Sequence, residues 1–204
     1  MNSAPTIYKS IPGWLADSEA CCLYEMTRKT RGGLFEAGTF LGRSTSVFCE
    51  AIRKEGQVGR KFVSYDLSLP SEVGFKHYMQ SIGHTDEQVC PPKELTDIWA
   101  AGTSSTELAR KNLASHGLLD HVELRIGDFR QDSGVYETLF FDVVHGMEEA
   151  AANLPHIVRL SAPKAVVGIH DMFWGGILEH VIEKTRGELS FFRLVDTLAL
   201  FQRI

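Results

Sequence analysis

Residues 33–52, GLFEAGTFLGRSTSVFCEAI, decide the fold class of this chain. A short apolar run ends at Glu36, a loop runs from Gly38 to Gly42, and a helix with apolar residues on one face follows. Strand, tight loop and helix in this order form the first half of a βαβ unit. Glycines let the backbone approach a ligand closely, and the free N–H groups of a helix start suit an anionic group. The stretch therefore predicts a ligand-binding loop between the first strand and the next helix.

The spacing of the glycines in this loop discriminates between ligands. A dinucleotide-binding loop has the pattern G-x-G-x-x-G, whereas Phe40 stands here where a second close glycine would be needed. The pattern Glu-x-Gly-x-x-x-Gly-x-Ser-Thr resembles the first motif of class I S-adenosylmethionine-dependent methyltransferases. A structural turn in another α/β protein is the alternative at this point. The resemblance implies contacts with the methionine part of the cofactor from Glu36, Gly38, Thr39, Gly42 and Ser44.

Length and composition indicate one globular domain over residues 1–204, since 204 residues with 44% hydrophobic content are enough for a core. The net charge of −5, without a long basic run, argues against nucleic-acid binding. No apolar run is long enough to span a membrane, and MNSAPTIYKS lacks an apolar signal core, so we expect a cytoplasmic protein. Because the four cysteines form no C-x-x-C pair, we expect free thiols at Cys21, Cys22, Cys49 and Cys90.

Two segments are predicted to pack around the sheet. Residues 11–31 carry a roughly helical apolar stripe and end at two glycines, which predicts a lead-in helix. Residues 68–102 hold three prolines and a short helical stretch, Phe75 to Ile82, and do not fit a simple βα alternation. Long connections in compact domains are usually functional. We interpret this segment as a lid or substrate-binding insertion, with a plain surface excursion as the alternative.

The second strand, within KFVSYDLSLP, places Asp66 at its tip, 30 residues after Glu36. An acid at this position holds a ribose diol through two charge-assisted hydrogen bonds. Asp66 therefore predicts an adenosine-containing ligand, either a dinucleotide or S-adenosylmethionine. A capping or turn aspartate is the alternative. Leu67, which follows Asp66, is a further predicted cofactor contact.

The segment 107–129, ELARKNLASHGLLDHVELRIGDF, gives a second resemblance. It reads as a helix closed by Gly117 and a strand that ends before Gly127. The whole segment looks like the third unit of class I methyltransferases. The resemblance implies that Asp128 bonds the adenine amino group and that Phe129 covers the ring.

The last third of the chain completes the predicted sheet. LFFDVVHGMEEA predicts a fourth strand that includes Val144 and has His145-Gly146 at its tip, and APKAVVGIHDMFWGG predicts a fifth strand that ends in His170-Asp171. The tail splits into two β-rich runs around Asp196, which predicts an antiparallel hairpin and resembles the methyltransferase ending. The resemblance implies a Rossmann-like α/β fold with a seven-stranded mixed sheet of order 3-2-1-4-5-7-6 and helices on both faces.

The tips of the fourth and fifth strands carry the candidate catalytic residues. FEAGTFLGRST and IHD resemble the branch of natural-product and sugar O-methyltransferases, whose members often bind magnesium through acids at these tips. Here His170 replaces one acid of the second pair, and Met147 stands where an Asp-Gly-Asp motif usually has an acid. With Asp171 as the only well-placed carboxylate, a magnesium site lacks ligands. A softer metal bound by His145, His170 and Asp171 is the alternative, and the metal stays unassigned.

Methyl transfer to a hydroxyl needs close positioning of the reacting groups and an acceptor for the hydroxyl proton. Histidine suits this role near neutral pH. We name His170 and His145 as candidate general bases, with Asp171 orienting an imidazole. His145 is also a predicted cofactor contact. His77 and His84 are weaker candidates.

The predicted function is transfer of a methyl group from S-adenosylmethionine to a small-molecule hydroxyl. A methyltransferase-like protein that binds without transfer or runs another reaction is one alternative, and an NAD-dependent oxidoreductase is another. A homo-oligomer stays open, and neither nucleic acid nor membrane is an expected partner. Large apolar side chains at the pocket rim hint at an apolar or aromatic acceptor; they are Phe75, Tyr78, Trp99, Phe173 and Trp174.

Overall fold

The computed structural model describes residues 5–81, 85, 91, 93–173 and 175–204. Within them, seven strands form one sheet of order β3-β2-β1-β4-β5-β7-β6, which confirms the predicted order. The strands are β1 (Leu34–Ala37), β2 (Phe62–Asp66), β3 (Glu123–Ile126), β4 (Tyr136–Phe141), β5 (Ser161–Ile169), β6 (Leu189–Val195) and β7 (Leu198–Arg203). The α-helices are α1 (Asp17–Lys29), α2 (Arg43–Lys54), α3 (Glu72–Ser81), α4 (Lys93–Ala100), α5 (Ser105–Ser115), α6 (Met147–Leu160) and α7 (Ile177–Lys184).

The direction of the strands places the site. β1 to β5 run parallel, whereas β7 pairs antiparallel with both β5 and β6. The carboxyl ends of the five parallel strands therefore lie at one edge of the sheet. Ligands of open α/β folds bind at this edge, and the predicted cofactor contacts together with His145, His170 and Asp171 lie in a loop or strand tip there or in the helix start that follows one.

The central strands of the sheet, β1 and β4, are buried on both faces. Adjacent residues of β1 point to opposite sides: Leu34 packs with Phe48 of α2, and Phe35 packs with Phe141 in the core that includes α6 and α7. Helices α1 and α5 contribute to the same side as α2. These two apolar layers hold the strand tips in fixed positions below the site.

The bounds of several elements differ from those predicted from the sequence. The lead-in helix is α1, within residues 11–31, and the helix of the insertion is α3, three residues earlier than predicted at its start, with Ile82 outside the described residues. Helix α4 was not predicted. The prediction that the fourth strand continues to Val144 is wrong, since β4 ends at Phe141. Val144 is nevertheless completely buried, so its hydrophobicity reflects the core and not strand pairing.

Three of the four cysteines, Cys21, Cys22 and Cys49, are free thiols as predicted, and Cys90 lies outside the described residues. Among the described residues, no helix is both long and apolar enough to cross a membrane.

Candidate active site

Two adjoining cavities lie at the carboxyl edge of the sheet. The first, of about 480 Å³, lies among the loops after β2 and β3 and the helices α3 and α6. The second, of about 570 Å³, lies between the loop after β1, residues 13–16 and the loop after β5. Both are lined by the same six residues, which therefore form a shared wall: Gly38, Phe40, Asp66, Leu95, Asp142 and His145.

The loop after β1 needs glycine for two reasons. Gly38 has φ of +100°, and a Cβ atom there would lie 2.6 Å from the carbonyl oxygen of Asp142. The N–H groups of Gly38 and Thr39 donate to the carbonyl oxygen of Tyr65, which joins the loop to β2. Phe40 lies in the left-handed region without being glycine. The loop therefore has a strained backbone, which its contacts with Tyr65 on one side and Asp142 on the other help to maintain.

Glu36 lies beneath this loop and outside both cavity walls. Its side chain is fully buried and accepts hydrogen bonds from Ser44 Oγ (2.5 Å), Thr45 Oγ1 (2.6 Å) and Ser64 Oγ (2.6 Å). Burial raises the pKa of the Glu36 carboxyl to about 7. The Glu36 carboxylate thus joins the loop, α2 and β2, and its contact with the cofactor stays a prediction.

The other predicted residues of the loop divide between cavity and scaffold. Thr39 and Ser44 line the second cavity. Gly42 has φ of +88° and begins α2, and a Cβ atom there would touch Ala109 and Leu113 of α5. Gly42 therefore contributes to helix packing and does not line either cavity.

Asp66 lies in the shared wall, as the ribose prediction requires. Its Oδ2 accepts from the Phe40 N–H (2.7 Å), and its Oδ1 accepts from the Ser68 N–H (2.6 Å) and Ser105 Oγ (3.1 Å). Burial raises the pKa of the Asp66 carboxyl. Its oxygens thus already join the loops after β1 and β2 to the start of α5, and a diol would share or replace these donors.

The adenine-side candidates meet in the first cavity. Leu67, Asp128 and Phe129 all line it. The Asp128 carboxylate accepts from the backbone N–H of Arg130 and pairs with its guanidinium at 2.7 Å. Phe129 packs on Phe141 at 5.6 Å between ring centroids. A flat polar ring could therefore meet an acid and an apolar surface here.

Asp142 is a site residue that the sequence analysis missed. It follows the last residue of β4 and lies opposite His170, because Phe141 pairs with Ile169. Asp171 is therefore not the only carboxylate at these tips. Asp171 adopts φ of +62°, an unusual value for a residue other than glycine, and its carboxylate lies near the same two histidines.

The ring of His170 lies between Asp142 and Asp171 on one side and Glu19 of α1 on the other. Nδ1 lies 3.2 Å from Asp142 Oδ1 and 3.5 Å from Asp171 Oδ1, and Nε2 lies 3.2 Å from Glu19 Oε2. The side chain is 5% exposed. Burial lowers the pKa of His170, but the hydrogen bonds to Asp142 and Glu19 outweigh it and raise this pKa to about 10. The protonated form of His170 is thus favoured at neutral pH, and its role as a general base stays a prediction.

His145 faces the same aspartates from the other side. Nε2 lies 3.6 Å from Asp142 Oδ1 and 3.7 Å from Asp171 Oδ2, while Nδ1 lies 2.9 Å from Glu149 Oε2. Its side chain is 42% exposed. The pKa of His145 lies well above its ordinary value because the contacts with Asp142 and Glu149 outweigh burial. We call the whole arrangement the carboxylate–histidine cluster: Glu19, Asp142, His145, Glu149, His170 and Asp171.

Three residues of the cluster could hold one divalent cation. Ligand atoms of Asp142, His170 and Asp171 lie within 4.8 Å of one another. Two carboxylates and one imidazole suit Mn²⁺, Fe²⁺ or Zn²⁺ better than magnesium, which prefers oxygen ligands alone. This set differs from the predicted one by including Asp142 in place of His145.

The remaining candidates lie farther out. Phe75 and Tyr78 line the first cavity, and the Tyr78 hydroxyl donates to Glu149. Trp99 packs on Phe75 and donates its indole N–H to the carbonyl oxygen of Leu69. Phe173 lines the second cavity. His77 is exposed on α3, and His84 and Trp174 lie outside the described residues.

Residues 35–172 match the family model described as "Methyltransferase domain". No curated protein matches the sequence. Among solved structures, a methyltransferase from Geobacter sulfurreducens shares 20% identity at a TM-score of 0.58, covering 94% of this chain and 82% of that chain. The O-methyltransferase from Bacillus cereus in complex with SAH shares 14% identity at a TM-score of 0.65, covering 96% of this chain and 86% of that chain. TomG from Streptomyces achromogenes, an O-methyltransferase involved in tomaymycin synthesis and in complex with SAM, shares 16% identity at a TM-score of 0.60, covering 93% of this chain and 81% of that chain.

This chain belongs to the methyltransferase domain family, since the family model covers well over half of its length. Its seven-stranded sheet is the fold of the class I S-adenosylmethionine-dependent methyltransferases. The predicted family is therefore confirmed. At identities of 20% or less, the structural likeness establishes the fold alone.

Proposed function

We propose that this protein transfers a methyl group from S-adenosylmethionine to a hydroxyl of a small molecule. The observation that supports this best is the pair of adjoining cavities with a shared wall. The adenosine would bind in the first cavity against Asp66, Asp128 and Phe129, and the acceptor would bind in the second. The reacting groups would then meet at the shared wall, where Asp142 and His145 lie.

The charge of the cluster favours a cationic cofactor. Four carboxylates lie against two imidazoles, so the cluster stays negative even with both imidazoles protonated. A sulfonium next to this wall would gain Coulomb energy in a partly buried setting, where opposite charges attract more strongly than in water. A bound divalent cation, held by Asp142, His170 and Asp171, would act as a Lewis acid on the acceptor hydroxyl.

The general base we propose is His145. The acceptor hydroxyl loses its proton as the oxygen–methyl bond forms, and an imidazole within reach can take it. His145 is the more exposed of the two cluster histidines and lies in the shared wall, whereas His170 lines only the second cavity and its side chain is 5% exposed.

The second cavity favours an acceptor with an apolar or aromatic body. Trp14, which is 62% exposed, stacks on Phe40 at 5.8 Å and 20° between the ring planes. Phe173, 52% exposed, lines the same cavity. Exposed aromatic faces at a cavity mouth suit a flat apolar ligand.

Cofactor binding tests the proposal directly. S-adenosylmethionine at a hundred times its dissociation constant should stabilise the protein by about 2.7 kcal/mol in a thermal unfolding experiment, and NAD should give no shift. Asp66→Ala should weaken cofactor binding at least tenfold by calorimetry, while His170→Ala should weaken it far less. Asp120→Ala, an exposed change outside both cavity walls, is the matched control.

Two results would contradict the proposal. Stabilisation by NAD without stabilisation by S-adenosylmethionine would overturn the cofactor. Binding of labelled S-adenosylmethionine without transfer to any member of a panel of phenols and sugars would favour a binding protein with a methyltransferase fold.

A further inference from the structure

Glu19 is a buried acid in the first turn of α1, outside the residues that match the family model. It occupies the capping-box position, and its Oε2 accepts from the Ala16 N–H at 2.9 Å. A glutamate that only caps a helix start can remain at the surface. Glu19 is instead 2% exposed, so its carboxylate needs further donors to compensate for lost hydration.

Two other elements of the fold supply these donors. Thr197, in the turn between β6 and β7, donates its N–H (2.9 Å) and its hydroxyl (2.8 Å) to Oε1 of Glu19. His170, at the tip of β5, contacts Oε2 through Nε2 at 3.2 Å. The Glu19 carboxylate is therefore fixed by three elements, and it fixes the His170 ring in turn.

This contact determines which nitrogen of His170 faces the site. An ionised carboxylate only accepts hydrogen bonds, so the nitrogen next to Glu19, Nε2, must carry a hydrogen. Nδ1 is thereby directed at Asp142 and Asp171, at 3.2 and 3.5 Å. A hydrogen bond at one ring nitrogen generally sets the role of the other.

We propose that Glu19 is a positioning residue of the active site, which holds His170 with Nε2–H toward the lead-in helix and Nδ1 toward the aspartate pair. In this orientation Nδ1 can donate to the aspartates or, without its proton, serve as a ligand beside them. The effect on catalysis rests on the proposed function, whereas the orientation of the ring does not. The lead-in helix is then part of the site and not only of the scaffold.

The test compares Glu19→Gln with a matched change in the full-length protein. Glu50 is an equally buried glutamate on α2 whose carboxylate accepts backbone N–H groups of the N-terminal segment, from Thr6 and Ile7. Glu50→Gln therefore controls for loss of a buried carboxylate. The readout is ¹⁵N NMR of the histidine rings in ring-labelled protein, with His170 assigned by its absence in His170→Asn.

We expect a protected Nε2–H signal from His170 in the wild type and in Glu50→Gln, and its loss or weaker protection in Glu19→Gln. If Glu19→Gln does not fold, Glu19→Asp keeps the charge but withdraws the carboxylate by about 1.5 Å, and the same loss is expected. An unchanged His170 pattern in the Glu19 variants, or an equal change in Glu50→Gln, would overturn the proposal.

Methyl transfer provides a second, separable readout. In Glu19→Gln, kcat should fall about 10- to 100-fold, as for other residues that orient a functional histidine, while the dissociation constant of S-adenosylmethionine stays within twofold. A wild type that transfers no methyl group would contradict the proposed function, and the ring signals of His170 would still decide the role of Glu19.

Discussion

Glu36 places an ionisable carboxyl in a fully buried position beneath the cofactor loop. Three hydroxyls donate to it, yet burial dominates and raises its pKa from the ordinary 4.5 to about 7. The folded state therefore binds the proton more tightly than the unfolded state does. The resulting stabilisation is present below pH 4.5 and is lost as the pH rises through 7.

Glu36→Gln should consequently be more stable than the wild type at pH 8. One pKa unit corresponds to about 1.4 kcal/mol, so a shift of this size gives a difference on the order of 3 kcal/mol. The difference should shrink towards zero below pH 5. Urea unfolding at pH 5 and pH 8 measures it, and a pH-independent difference would show that the hydroxyl contacts decide the stability of this position.

His145 should give the methyl-transfer reaction a rising pH profile. Because its pKa lies well above the ordinary value, the neutral form that accepts a proton is scarce at pH 7 and grows as the pH increases. The turnover number should therefore rise above neutral pH. His145→Gln should lower it by about two to four orders of magnitude and remove the rise. His77→Gln, on the exposed face of α3, should change neither.

A flat profile in the wild type, or the same rise in His145→Gln, would assign the proton to another acceptor. Asp171 is the alternative acceptor, since burial and the charge of Asp142 raise the pKa of its carboxyl.

At the level of elements, local signals predicted the strands and helices and the family resemblance predicted the order of the strands, whereas the end of one strand required the structure. Each βα unit has its own glycine, cap and apolar run, and these signals depend only on neighbouring residues. The end of β4 depends on its pairing with β5, where Phe141 is the last partner of Ile169. Position 144 carries an apolar residue because its side chain packs in the core, not because it pairs in the sheet. The prediction therefore missed Asp142.

Contacts between elements that are distant in the chain could not be predicted from the sequence. Glu19 and His170 lie 151 residues apart and meet only because α1 packs next to the tip of β5. Their separate sequence contexts, a helix start and a strand end, do not indicate this contact. Helix α4 is a different case, since Leu95, Ile98 and Trp99 have helical spacing that the surrounding prolines obscured.

At the scale of the whole molecule, residues that precede the family match of 35–172 line part of the candidate active site. Residues 13–16 form part of the wall of the second cavity. Arg43 of α2 holds this segment, since its guanidinium donates to the carbonyl oxygens of Ile11 (2.8 Å) and Leu15 (3.3 Å) and lies over the ring of Tyr8. In the proposed function the second cavity takes the acceptor, so acceptor binding should depend on this segment more than adenosine binding in the first cavity does.

Arg43→Gln should separate these two kinds of binding. The shorter amide cannot reach both carbonyls, so amide hydrogen exchange in residues 7–16 should accelerate while the sheet stays protected. The acceptor KM should rise at least about fivefold, because the wall of the second cavity loosens. The loss of two hydrogen bonds here costs only on the order of 1–3 kcal/mol, so the fold should persist and the dissociation constant of S-adenosylmethionine should stay within about twofold.

Arg53→Gln is the control for this change. Arg53 also lies on α2 and donates to a backbone carbonyl, that of His116, away from the cavities. Equal acceleration in both variants, or a cofactor affinity that falls together with the acceptor KM effect, would show that residues 7–16 do not form a separate acceptor wall.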